Sequence, residues 1–190
     1  MDPTAPVIPA LPQALPVRVR AAVAEDAPAL HALIRDAMRL YAEASGIPGT
    51  LESLTESVAD VLRHVREDDV LVAEYGHEGA YSLVGTLRLS AADEAGVAYL
   101  SRFSVDPDVQ RIGVGGALMH AVDVYALEHH LRTVRLHTAL SNDPLIRFYR
   151  ARGFVVLGSE DSRGYPRARL EKRFGKPPPT TRRRKDRENG

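Results

Sequence analysis

One stretch constrains the fold of this chain more than any other. A strand-like run, Val97 to Val105, breaks at Asp106-Pro107-Asp108, and Gln110-Arg111-Ile112-Gly113-Val114-Gly115-Gly116 then opens a helical run. A strand feeding a helix through glycines calls for a layered α/β fold, with the helix packed back on the sheet. Glycines let the backbone approach a partner with no Cβ in the way. The first amides of a helix have no intrahelical acceptor. With the helix dipole they favour an anion, a pyrophosphate above all, and Arg111 adds a charge. The loop is not a Walker A motif, because no Lys-Ser/Thr pair follows its glycines. Leu118 stands where the dinucleotide fingerprint needs its third glycine.

Around this stretch the patterns place the other elements. Val17 to Arg20 alternates apolar and basic residues, as a half-buried strand does. Leu30, Leu33, Ile34, Met38 and Tyr41 recur at helical spacing over Glu25 to Ala44, and Leu54, Val58, Val61, Leu62 and Val65 do so over Leu51 to Arg66. Strands are predicted at Val70–Tyr75, Tyr81–Ser90 and Val97–Val105, the first two as an antiparallel hairpin. A helix over Gly113–His130, a strand over Thr133–Ala139, a short helix over Pro144–Ala151 and strands from Phe154 and Arg167 complete the order. This is an α/β chain with a mixed sheet rather than a regular βαβ alternation.

A chain of 190 residues favours one domain with flanking tails. The Pro-rich stretch 1–16 is expected to be a disordered leader, residues 17–174 the folded domain and residues 175–190 a disordered basic tail. From Lys172 onward eight basic residues face only Asp186 and Glu188, a net +6, so the zero net charge of the chain leaves −6 for the body. The absence of cysteine excludes disulfides, thiolate metal sites and a Cys nucleophile. Neither a signal-peptide pattern nor an apolar run of membrane-spanning length is present, so a cytoplasmic protein without a membrane association is expected. His129-His130 do not share a helix face, and no metal site is expected. No aromatic residue follows Phe174 to interleave the Arg182-Arg183-Arg184-Lys185 run, which argues against a stacking nucleic-acid site.

Two motifs, taken together, resemble the GNAT family of N-acetyltransferases. The first is Gln110-Arg111-Ile112-Gly113-Val114-Gly115 preceded by Phe103-Ser104-Val105-Asp106-Pro107. It is similar to the family's acetyl-CoA segment, Gln/Arg-x-x-Gly-x-Gly/Ala after an apolar-x-Val-x-Pro strand end. The second is Asn142 seven residues before Tyr149, followed by Arg150-Ala151-Arg152-Gly153-Phe154. It looks like the family's Asn…Tyr-x-x-x-Gly-Phe segment. The resemblance covers roughly residues 17–174 and is strongest over 97–157. It implies a mostly antiparallel mixed sheet flanked by helices, with the strand before the loop splayed from the next. Acetyl-CoA would be the cosubstrate and a primary amine the acceptor, on a small molecule or a protein.

By the same resemblance, the strand end Phe103-Ser104-Val105 binds pantetheine through backbone groups, as an added strand would. The amides of Arg111, Ile112, Gly113, Val114, Gly115 and Gly116 cradle the pyrophosphate, and Asn142 bonds the pantetheine arm or a nearby backbone group. Tyr149 is the general acid to the leaving thiolate, since a phenol has a proton to give at neutral pH. A homodimer is also compatible with the family. Histone-acetylating members carry a Glu on the strand before the loop, but Tyr99 stands there. Glu74, Glu43, His137 or a water relay remain as candidates for the base. The missing carboxylate motivates an alternative, a non-catalytic acyl-CoA-binding module. The resemblance places acceptor choice in the first two helices, their loop near Gly46–Thr50, and the segment Gly158–Pro166, and the acidic body suggests cationic amines.

Overall fold

The computed structural model describes residues 17–77, 80–109, 112–161 and 163–175. The leader, nearly all of the basic tail, and Gln110 and Arg111 of the glycine loop lie outside the described residues. The chain runs β1 (Val17–Ala21), α1 (Ala27–Ser45), α2 (Val58–Glu67), β2 (Asp69–His77), β3 (Ala80–Leu89), β4 (Val97–Val105), α3 (Val114–Glu128), β5 (Thr133–Ala139), α4 (Asp143–Arg150), β6 (Val155–Glu160) and β7 (Arg167–Arg173). All of these were expected in this order. The largest boundary difference is α2, predicted from Leu51 but beginning at Val58. Residues Glu52–Leu54 form only a single 3-10 turn. The reason is a capping box: Ser57 Oγ accepts from the Asp60 amide at 3.2 Å, and the Ser57 amide donates back to Asp60 Oδ2 at 2.9 Å. That reciprocal pair fixes the helix start.

The seven strands form one sheet in the order β1-β2-β3-β4-β5-β7-β6. Every neighbouring pair is antiparallel except β4 and β5. That parallel pair is short: Val97, Ala98 and Tyr99 face Thr133, Val134 and Arg135, and no pairing continues beyond them. The C-terminal halves of β4 and β5 therefore part, leaving a wedge in the middle of the sheet.

A bulge bends β4 on its other side. Thr86 faces Ser104 and Arg88 faces Ser101, so β4 holds one residue more than β3 over this span. Arg102 carries a positive φ of 52° there. Such an extra residue kinks the strand and increases its twist.

Helices cover both faces. On one, α3 buries Val114, Leu118, Met119, Val122 and Ala126 against Val84, Leu87 and Leu136 of the sheet, and α4 adds Tyr149. On the other, Leu30 and Ile34 of α1 and Val61 of α2 pack on Val70 and Val72. Each fully buried Leu or Val contributes about 1.5–3 kcal/mol of transfer free energy. Among the described residues, no helix is long and apolar enough to cross a membrane.

Candidate active site

The helix α3 starts on Gly113, whose φ of 96° lies in the left-handed region that a side chain disfavours. Among the described residues no side chain caps this end. The first intrahelical bond runs from the Ala117 amide to the Gly113 carbonyl at 2.9 Å. The amides of Val114, Gly115 and Gly116 precede it and have no helical acceptor. Gly115 is where the helix start meets the wedge: a Cβ there would lie 3.2 Å from the rings of both Phe103 and Phe148. Beside it, Arg152 donates to the Phe148 carbonyl at 3.0 Å and stacks its guanidinium on the Phe148 ring. Its Nη2 lies 3.4 Å from where a Gly116 Cβ would stand. Burial lowers the Arg152 pKa. Sequence reasoning gave Arg152 no role, although it sits inside the Tyr149–Phe154 motif.

The strand end is ordered by alternation. The Asp106 amide donates to the Val84 carbonyl at 2.8 Å, and Ser104 faces Thr86. Antiparallel ladders alternate, so the Val105 backbone groups are directed away from β3, toward the wedge. Ser104 is turned the other way. Its Oγ is buried without an acceptor or donor among the described residues, and it does not line the cavity described below. Ile112 packs against the α3 core.

Asn142 is the N-cap of α4. Its Oδ1 accepts from the Leu145 amide at 3.1 Å, and its Nδ2 donates to Ser45 Oγ at 3.0 Å. Both ends of the amide thus have protein partners, and the second ties α4 to the end of α1.

A cavity of about 520 Å³ opens where β4 and β5 part. Tyr99 to Phe103 of β4 form one wall and Leu136 to Thr138 of β5 another. Met38 and Tyr41 of α1, Thr50 to Ser53, and Arg163 and Tyr165 between β6 and β7 close its outer side. Both segments expected to choose the acceptor reach it. Tyr149 lines it too, almost wholly buried and ringed by Phe103, Phe148 and Phe154 at 5.4–5.9 Å between centroids. Burial, then the neighbouring Tyr41 and Tyr99, hold its phenol well above the ordinary value, so it carries its proton at neutral pH.

Of the base candidates, only His137 reaches the cavity. Glu74 is bound by Arg18 at 2.5 Å and Arg20 at 2.8 Å on β1, and neither it nor Glu43 is among the lining residues. His137 Nδ1 lies 2.5 Å from Tyr99 Oη. Its Nε2 is buried 3.2 Å from Glu160 Oε1, within ion-pair distance but without hydrogen-bond geometry. Burial, with the Arg167 charge, lowers the His137 pKa despite Glu160. Burial raises that of Tyr99. At neutral pH the phenol is therefore protonated and the imidazole neutral, and the two share the hydrogen bond between Tyr99 Oη and His137 Nδ1.

The charge of this cavity differs from that of the body. Arg88, Arg102, Arg163 and Arg167 line it, with Glu52 as the one carboxylate among the lining residues. Glu56 sits behind Arg88 and Arg102, 3.2 and 2.6 Å from them. Burial opposes its ionisation, but Arg102 and Arg88 outweigh burial and hold its carboxyl below the usual range.

The sequence matches the Acetyltransferase (GNAT) family over residues 30–154. It is 31% identical over 106 residues to the S-(2-succino)cysteine N-acetyltransferase of Bacillus subtilis, a match spanning 53% of this chain and 63% of that protein. The fold is similar to that of Ard1 from Thermoplasma volcanium, with a TM-score of 0.65 and 26% identity over 85% of this chain and 99% of the other. It is also similar to the PaiA N-acetyltransferase from Thermoplasma acidophilum in complex with coenzyme A, with a TM-score of 0.67 and 20% identity over 83% of this chain and 99% of that one. The glycine loop, the wedge between β4 and β5, and the Asn142–Phe154 segment all fall within the matched span, and the chain belongs to the GNAT acetyltransferase family.

Proposed function

We propose that this protein transfers an acetyl group from acetyl-CoA to a primary amine. The observation that carries the reading is the uncapped, glycine-built start of α3 at the mouth of a wedge whose far wall holds a protonated, buried Tyr149. The residues present suit coenzyme A. The amides of Val114, Gly115 and Gly116 would take its diphosphate, with Arg152 as an added charge. The outward backbone groups of Val105 would pair with a pantetheine amide. Ser104 would contribute through its position in the strand only, and Asn142 by holding α4, and with it Tyr149, in place. When bound, acetyl-CoA supplies a thioester, an activated acyl group.

The chain's own residues then manage protons. An alkylamine is mostly protonated at pH 7 and must lose a proton before it attacks. The amine proton passes to Tyr99 Oη while the Tyr99 proton moves to His137 Nδ1, leaving an imidazolium beside Glu160. Tyr99 and His137 begin in the protonation states this requires. The Phe103 amide, at the bulge, polarises the thioester carbonyl. Tyr149 gives its phenol proton to the departing sulfur. A C–N bond forms and the C–S bond breaks; the second nitrogen proton, released as the amide forms, restores the Tyr149 phenol, and the products are an amide, a free thiol and the proton that His137 returns to solvent. The Tyr99–His137 pair fills the place of the absent strand carboxylate, so nothing here favours a non-catalytic module.

The test is thiol release from acetyl-CoA on a broad amine panel. Turnover dependent on an added amine supports the proposal. Coenzyme A binding without acetylation of any amine would overturn it.

A further inference from the structure

Resting on the N-acetyltransferase reading, we propose that the acceptor amine also carries a carboxylate, and that Arg167 is the side chain that receives it. The acceptor is then an amino acid or a similar amino-carboxylate, not a polyamine.

The first observation is charge. Arg163 pairs with Glu52 at 2.5 Å and Arg167 with Glu160 at 2.8 Å. Arg88 and Arg102 share the single carboxylate of Glu56. The lining itself carries four guanidiniums against the one carboxylate of Glu52, with Glu56, Glu160 and Asp68 behind it, so the surface offered to a ligand is positive while Tyr99 and His137 are neutral. Burial and the nearby Arg102 depress the Arg88 pKa against the opposing pull of Glu56 and Asp68. An amine must be neutral to attack, and an amino-carboxylate with a neutral amine carries one negative charge. It is of opposite sign to the lining, whereas a polyamine adds charge of the same sign. The positive lining also disfavours the ammonium form, so it assists the deprotonation that attack requires.

The second observation is Arg167 itself. It lines the cavity although only 8% of its surface is exposed. Its Nη2 donates to Glu160, but its Nε is buried with no acceptor among the described residues. Guanidinium groups present planar donor pairs that match a carboxylate, and Arg167 keeps donors beyond the one that Glu160 takes. Arg167 also lies close enough to His137 and Tyr99 to perturb both. A carboxylate held by Arg167 is therefore near the pair that takes the amine proton, the geometry an amino acid offers.

The experiment compares kcat/KM for α-, β- and ω-amino acids with their primary amides and decarboxylated amines, in the wild type, Arg167→Lys and Arg167→Met. The wild type should prefer the best acid over its amide by at least about tenfold. That ratio should fall toward one in Arg167→Met and be partly kept in Arg167→Lys. A ratio near one in the wild type, or one unchanged in a folded Arg167→Met protein, would overturn the proposal. If Arg167→Met does not fold, the wild-type ratio and Arg167→Lys decide. Calorimetry of N-acetyl amino acids against N-acetyl amino amides, on the protein loaded with coenzyme A, reads the same contact without turnover. Tighter binding of the acids supports the carboxylate contact even if no amine is acetylated, and equal binding removes it.

Discussion

In the proposed mechanism Tyr149 and His137 divide the proton traffic between them, and each would leave a separable signature. Tyr149→Phe removes one oxygen from an aromatic cluster and leaves its packing with Phe103, Phe148 and Phe154 in place. The expected result is a fall in kcat of about 100-fold or more, with the KM for acetyl-CoA and the melting temperature little changed. Steady-state kinetics beside a thermal melt checks this. His137 is held below its ordinary pKa, chiefly by burial. The proposed mechanism needs its neutral form, so kcat/KM should fall as pH drops through a value below about 6.5. His137→Gln should remove that acidic limb, and a pH–rate profile of both proteins decides. The two residues differ in how far the sequence reveals them. Tyr149 is legible because its motif is local, from Asn142 to Phe154 along one short helix and its exit. The Tyr99–His137 contact joins residues 38 positions apart. It depends on the register of a parallel pair only three residues long, which no periodicity encodes.

Among the elements, α3 and its seat are the part most exposed to substitution. Gly115→Val would push a branched side chain into Phe103 and Phe148. Overpacking of this kind costs about 1–3 kcal/mol. Because Gly115 also offers an amide at the helix start, coenzyme A affinity should fall by more than the stability loss alone explains. Denaturant titration and binding on the same variant separate the two. At the far edge of the sheet, Glu74 is buried between Arg18 and Arg20, and their hydrogen bonds hold its carboxyl below the usual range. Glu171 is held down in the same way by Arg173 and Arg135. A depressed carboxyl gives stability that is present above about pH 4.3 and is lost as pH falls through the native value. Acid unfolding should therefore begin below about pH 4. Glu74→Gln should make stability less dependent on pH in that range, as urea midpoints from pH 2.5 to 6 would record. Element type and order are readable because most helices and strands have an apolar period of their own, while the exposed β6 is marked by its place after Gly153 rather than by a period. The start of α2 is not, because Leu54 continues the helical spacing while the Ser57–Asp60 box enforces a later beginning.

Across the whole molecule, charge is where composition misleads. The body outside the C-terminal stretch carries a net −6, yet the cavity between β4 and β5 gathers Arg88, Arg102, Arg163 and Arg167. Those residues come from three strands and a loop, and only folding brings them to one place. A net charge averages over the surface and says nothing about one cleft. The sheet order shows the converse. A three-residue pairing of β4 with β5, a β4 bulge at Arg102 and the uncapped helix after Gly113 together make a wedge with a donor-rich mouth. The glycine loop announces that mouth from sequence alone, through the residues a close backbone approach requires. The most direct measurement of the central claim is a calorimetric titration of the protein with coenzyme A and with pantetheine, which lacks the diphosphate. Coenzyme A should bind at one site and about 100-fold or more tighter than pantetheine, a difference of roughly 2.7 kcal/mol that the amides of Val114 to Gly116 and Arg152 would supply. No association with coenzyme A, or equal affinity for the two, would contradict the account.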